Sequence, residues 1–117
     1  MKINSPISRR KADRIGRQHL PALLQSIILT CEDGYKTPGF TYDASVRGLG
    51  LSAPMSAVRA QVNSVITITP LDNSFQLHGT VVFVIADGPG SCRFGVCFNR
   101  ESEERRYQEL LAKTAEY

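Results

Sequence analysis

The sequence predicts an all-β domain, a small antiparallel barrel or sandwich of about six strands with one α-helix at its C-terminal end. Three observations predict this class: residues 20–98 contain short runs of apolar, aromatic and β-branched residues, turn residues separate these runs, and no helical period lies between them. Short strands with short connections are typical of antiparallel sheets rather than of βαβ units. A length of 117 residues suits one domain with a single core.

The predicted strands follow one another with a turn signal after each. The first is apolar and stops before Gly34, the second and third flank segment 43–48, and the fourth, rich in Val, Ile and Thr, stops at Pro70. The fifth and sixth alternate, so that Phe83 and Ile85 are predicted to face the core, as are the alternate residues from Cys92 to Phe98. The six predicted strands are 22–31, 41–45, 49–52, 62–69, 75–85 and 92–98.

The last segment, 100–117, changes to a helical period. Acidic residues crowd its first turn, where the helix dipole favours anions, and Glu101 and Arg105 are spaced as an i,i+4 pair. Tyr107, Leu110 and Leu111 form a narrow apolar stripe. We therefore predict a C-terminal helix that lies on the barrel or on a partner, and packing on the barrel is the simpler interpretation.

Residues 1–18 carry the surplus of positive charge, with a net charge of +5 against −2 for residues 19–117. They predict a flexible basic arm, which favours an anionic partner. Arg10 and Arg14 are four residues apart, so their side chains share one side of a helix or of a strand. Their planar guanidinium groups fit phosphate and stack on nucleobases. A solvated basic tail, or an arm for RNA or a membrane surface, is the alternative.

Asp43, Ser45 and Gly48 form an Asp-x-Ser-x-x-Gly segment between the second and third predicted strands. As turn residues, Asp and Ser bond to nearby backbone amides and Gly adopts a positive φ. As binding residues, the carboxylate accepts from the donors of guanine, the hydroxyl bonds to a base edge, and the glycine lets the backbone approach a neighbour closely. The segment alone leaves both interpretations open.

The two motifs occur in a particular order: the Arg-x-x-x-Arg pair precedes a β domain, and Asp-x-Ser-x-x-Gly lies between two strands of that domain. In this combination the sequence resembles the PilZ family of bacterial cyclic di-GMP receptors. The likeness runs from Arg9 to Phe98 and includes a closing hairpin over 79–98. It implies a six-stranded split barrel over 19–99, a basic arm over 1–18 that wraps the ligand, and a C-terminal helix over 100–117. Arg47 departs from the pattern, because many members have a second glycine there.

The resemblance also implies the roles of individual residues. Arg10 and Arg14 would bind phosphate oxygens and stack on guanine, whereas Asp43 and Ser45 would hold a guanine beside Gly48. Arg9, just before the first motif, is compatible with a stacked pair of cyclic di-GMP molecules in each chain. Binding would regulate an unidentified protein partner, with motility, pilus or biofilm outputs as expectations.

Other classes of function are weaker interpretations. A PilZ-like adaptor without nucleotide is favoured by degenerate motifs, and both motifs are complete here. A small RNA-binding barrel usually exposes aromatic platforms, and the phenylalanines here are predicted to face inward. An enzyme, a cofactor or a metal site is not expected, because no nucleophile–base pair is evident and the odd spacing of Cys92 and Cys97 places them on opposite faces of a strand.

Three cysteines without a framework predict a cytoplasmic protein, and the lack of a long apolar run predicts no membrane insertion.

Overall fold

The computed structural model describes residues 15–16 and 19–112. Arg9, Arg10, Arg14 and most of the predicted arm therefore lie outside the described residues. Within the described part, two helices and seven strands follow one another along the chain. They are β1 (Ile15–Gly16), α1 (Ala22–Gln25), β2 (Ser26–Thr30), β3 (Lys36–Ser45), β4 (Gly48–Ala53), β5 (Val65–Pro70), β6 (Leu77–Ala86), β7 (Cys92–Cys97) and α2 (Glu101–Ala112).

Strands β2 to β7 form a closed antiparallel barrel, which confirms the predicted fold class. The strand order is β3-β2-β5-β6-β7-β4, and the pairing of β3 with β4 closes the ring. Closure leaves no long unpaired edge around the ring. The short strand β1 adds to the end of β3, where Ile15 lies opposite Ala44 and Gly16 lies opposite Asp43. Strand β1 consequently lies beside the part of β3 that leads into the turn between β3 and β4.

Three predicted strands begin later than expected, β6 among them at Leu77 rather than at residue 75, and β3 begins earlier, at Lys36 rather than at residue 41. Residues 22–25 form the single helical turn α1, in which the Leu24 N–H bonds to the carbonyl of Pro21 at 2.9 Å, so the first long strand begins only at Ser26. The fourth predicted strand also loses its first residues. Asn63 has a φ of 75°, a left-handed conformation that ends a turn and that a continuing strand does not allow. Strand β5 therefore begins at Val65.

The predicted inward orientation of Phe83 and Ile85 is wrong. A register shift in β6 places Val81 opposite Val96 and Phe83 opposite Gly95, so one extra residue stands in β6. Such a bulge reverses the alternation that follows it. Phe83 is 37% exposed and Ile85 is 57% exposed, because the inward position passes to Val84, which packs against the core.

The interior of the barrel contains side chains from strands β2 to β7 together with residues of α2. Along β7 and just beyond it, Cys92, Phe94, Val96 and Phe98 are all buried, as their alternation predicts. Tyr107 and Leu111 of α2 are buried too, and the ring centroids of Phe98 and Tyr107 lie 4.5 Å apart. The helix thus packs on the barrel, as predicted. Neither α1 nor α2, the helices of the described part, is long and apolar enough to cross a membrane.

Candidate functional site

The turn between β3 and β4 positions the three residues of the Asp-x-Ser-x-x-Gly segment. Ser45 lies opposite Gly48, so Val46 and Arg47 form a two-residue connection. Asp43 and Ser45 are two residues apart in β3 and share one face of the strand, while Ala44 between them is buried in the core. Both polar side chains are half-buried. The structure therefore brings together the three predicted site residues that lie in its described part.

A local hydrogen bond accounts for the presence of serine at position 45, and close packing accounts for the presence of glycine at position 48. The Arg47 N–H donates to Ser45 Oγ at 3.3 Å, which is the local turn bond expected of serine at this position. Gly48 does not have a positive φ, so that interpretation of the glycine is wrong. A Cβ at Gly48 would instead overlap the carbonyl oxygen of Val96 in β7. The glycine is needed because β4 and β7 approach each other closely here.

A surface pocket of about 220 Å³ opens beside this turn. One wall consists of the turn and β4, and the other consists of the outer part of β6 and its partner β7. Arg47, which departs from the resemblance, is exposed and lines the pocket, and its backbone takes part in the turn. The lining residues are Asp43, Ser45, Arg47, Gly48, Leu49, Gly50, Val82, Phe83, Gly95, Val96 and Cys97.

The second wall of the pocket was missed in the sequence, and Phe83 is its largest side chain. Phe83 lies opposite Gly95, where a Cβ would overlap its aromatic ring. The ring therefore lies against the backbone of β7, and the bulge turns it outward into the pocket. A glycine inside a strand is a signal of close approach by a neighbouring group, and Gly95 is the residue from which this wall was predictable.

The pocket combines groups of different chemistry. Asp43 supplies carboxylate acceptors, Ser45 supplies a hydroxyl that donates or accepts, and Phe83 supplies an aromatic face. This set suits a flat ring with polar donors at its edge. Strand β1 runs beside this segment, because Ile15 pairs with Ala44 and Gly16 pairs with Asp43.

Helix α2 contacts the turn from the side of the core. The buried hydroxyl of Tyr107 donates towards the carbonyl oxygens of Ser45 at 2.5 Å and of Gly48 at 2.7 Å. Burial raises the pKa of Tyr107 well above its ordinary value, and the charge of Asp43 acts in the same direction. The hydroxyl is therefore protonated and acts as a donor at neutral pH.

The described residues hold no cluster suited to a metal ion. Within 15–16 and 19–112, no group of three or more His, Cys, Asp or Glu side chains is arranged to bind one. All three cysteines are free thiols, and Cys31 and Cys92 are buried. Burial raises the pKa of both of these thiols.

Comparisons with known proteins identify related sequences and folds. The family model of the PilZ domain matches residues 8–115. The PilZ domain of YcgR from Escherichia coli, solved with c-di-GMP, is 17% identical with a TM-score of 0.59 over 88% of each chain. MrkH of K. pneumonia in its apo state is 13% identical with a TM-score of 0.57, over 77% of this chain and 46% of MrkH, so the chain spans less than half of that protein. A search of curated proteins gave no match.

Proposed function

We propose, from the premise that this chain belongs to the PilZ domain family, that it is a receptor for cyclic di-GMP. The observation that carries the proposal is the pocket that Asp43, Ser45 and Phe83 line together, beside strand β1, which pairs with β3 at Ala44 and Asp43. The solved PilZ domain of YcgR contains this nucleotide. Both motifs of the family are also complete in the sequence.

In this proposal, the turn recognises a guanine base. Asp43 accepts from the N1–H and N2–H₂ groups of guanine, which are two donors on one edge of the base. Ser45 bonds to the same base, and Gly48 keeps the β4 backbone close to β7 so that the pocket retains its shape. Adenine lacks both of these donors, so the carboxylate provides discrimination between the two purines.

The predicted arm supplies the groups that bind phosphate. Arg10 and Arg14 bind the two phosphates and stack on guanine, and Arg9 holds a second, stacked nucleotide. Arg10 is five residues before Ile15, so its Cα lies within about 18 Å of the Ile15 Cα even in a fully extended chain. That reach suits a ligand bound beside the turn. Closing of the arm over the ligand changes the surface that is offered to a protein partner.

Titration calorimetry of the full chain with cyclic di-GMP tests the proposal. We expect binding with a stoichiometry near two nucleotides per chain. Arg10→Ala and Arg14→Ala each remove a charge-assisted contact of about 1.5–3 kcal/mol, which is a loss of about 10-fold to 150-fold in affinity. Lys2→Ala is the matched control, because it removes the same charge from the arm outside the motif. Arginine variants that bind as tightly as the wild-type protein would contradict these roles.

A second titration tests the recognition of the base. We expect the wild-type protein to prefer cyclic di-GMP over cyclic di-AMP, and we expect Asp43→Ala to reduce that preference at least tenfold, because the buried donors of guanine then have no acceptor. Exposed Glu109→Ala is the control for loss of a carboxylate elsewhere. If the wild-type protein binds neither nucleotide, the chain is better explained as an adaptor that acts by protein contact.

A further inference from the structure

The C-terminal part of the chain holds the backbone of the β3–β4 turn. Each of the four carbonyl oxygens from Ser45 to Gly48 accepts a hydrogen bond from a residue of α2 or of the segment just before it. The side chains of Asp43 and Ser45 meanwhile line the pocket. The four bonds are Tyr107 Oη to Ser45 O at 2.5 Å, Gln108 Nε2 to Val46 O at 3.4 Å, Phe98 N to Arg47 O at 3.1 Å and Tyr107 Oη to Gly48 O at 2.7 Å.

Tyr107 makes the two shortest of these bonds. Its side chain is fully buried, and its ring packs against Phe98, so the hydroxyl cannot turn away from the carbonyls. A hydroxyl carries one proton, and here that proton lies between two acceptors that begin and end the turn. The hydroxyl thereby links the two carbonyls of the Ser45–Gly48 pair from the core side, in addition to the pairing of β3 with β4.

The helix that carries Tyr107 is anchored to the barrel at a second place as well. Glu103 accepts from the His78 N–H at 2.9 Å, and Arg106 Nη1 donates to the carbonyl of Gln76 at 3.1 Å. These contacts are made with the start of β6 and its approach and do not involve the turn. Helix docking and turn positioning can therefore be perturbed separately by substitution.

We propose that Tyr107 is a positioning residue, whose hydroxyl couples nucleotide binding at the β3–β4 turn to the docking of helix α2. The proposal rests on the proposed function, since it concerns the same pocket. Coupling of this kind is reciprocal. A nucleotide that binds the fixed form of the turn stabilises the docked helix, and a docked helix increases the affinity for the nucleotide.

Calorimetry and hydrogen exchange on the full chain test the coupling. Tyr107→Phe removes only the hydroxyl and keeps the ring on Phe98. We expect it to weaken cyclic di-GMP binding about fivefold to twentyfold, within the range of ordinary coupling energies. In the wild-type protein the nucleotide slows amide exchange in α2, and in Tyr107→Phe this slowing is lost. Gln108→Ala, at an exposed side chain, gives a smaller loss in the same direction and serves if Tyr107→Phe does not fold.

Arg106→Ala is the matched control, because it weakens helix docking without touching the turn. It lowers the protection of α2 in the absence of nucleotide but keeps the slowing that the nucleotide produces. Loss of this slowing in Arg106→Ala as well as in Tyr107→Phe would reduce Tyr107 to a structural role and overturn the inference. Unchanged affinity in Tyr107→Phe would do the same while leaving the receptor proposal intact. A wild-type protein that binds no nucleotide would instead refute the receptor proposal itself.

Discussion

Replacing Gly48 by alanine tests whether the close approach of β4 to β7 sets the geometry of the turn. The new Cβ would overlap the carbonyl oxygen of Val96 and would lie 3.0 Å from the Val96 carbonyl carbon and 3.1 Å from the Cys97 Cα. These are backbone atoms of a paired strand, so relief requires β4 to move away from β7. Overpacking costs about 1–3 kcal/mol, or about 2 kcal/mol at the middle of that range, and the restricted unfolded chain offsets about 0.4–1 kcal/mol, which leaves a net loss of about 1–1.6 kcal/mol.

Urea denaturation and thermal unfolding measure this loss, and calorimetry measures its effect on binding. For a domain of this size we expect a drop of about 4–8 °C in Tm together with weaker binding of cyclic di-GMP. Gly34→Ala is the control, because Gly34 has a φ of +90° and no atom near its missing Cβ. That variant loses stability through its backbone conformation but keeps its nucleotide affinity. A Gly48→Ala protein as stable and as tightly binding as the wild type would refute the packing argument.

Three further predictions concern the pocket and the helix. Cys97 lines the pocket and is half-buried, so we expect it to react with a thiol reagent before the buried Cys92 does. We also expect cyclic di-GMP to slow the reaction of Cys97. Phe83→Ala removes the aromatic wall, and calorimetry should show a loss of about 1–3 kcal/mol of binding free energy. Burial acts to raise the pKa of Glu103, but hydrogen bonds from His78 outweigh it and hold the pKa below its ordinary 4.5. The stability that this carboxylate contributes is therefore present above pH 4.5 and is lost as the pH falls below it. Acid titration of Glu103→Gln should show a shallower loss of folding stability than titration of the wild-type protein.

Much of the fold was predictable because the strands differ from the turns in composition. The alternation from Cys92 to Phe98 identified its buried face, and Tyr107 identified the packed face of α2. The errors arose where one residue broke a regular pattern. An extra residue in β6 reversed the exposure of Phe83 and Ile85, and alternation in one strand cannot show a bulge that depends on the register with its partner.

The candidate site was predictable only on one side. Asp43, Ser45 and Gly48 are close in sequence, so their spacing by itself indicates a shared turn. Phe83 and Tyr107 come from distant parts of the chain, and only the closed barrel and the docked helix bring them to that turn. Local patterns indicate which residues share an element, whereas contacts between elements require the topology.

The free energy of the proposed complex shows why both halves of the site are needed. Ordering the five residues from Arg10 to Arg14 costs about 5–10 kcal/mol at about 1–2 kcal/mol for each residue. Two arginine contacts of about 1.5–3 kcal/mol each return about 3–6 kcal/mol. At the middle of these ranges the arginine contacts return less than the ordering costs, and in the proposed complex the remainder comes from the pocket of Asp43 and Phe83. A turn that is already held by Tyr107 adds little ordering cost of its own, so its contacts contribute almost fully to binding.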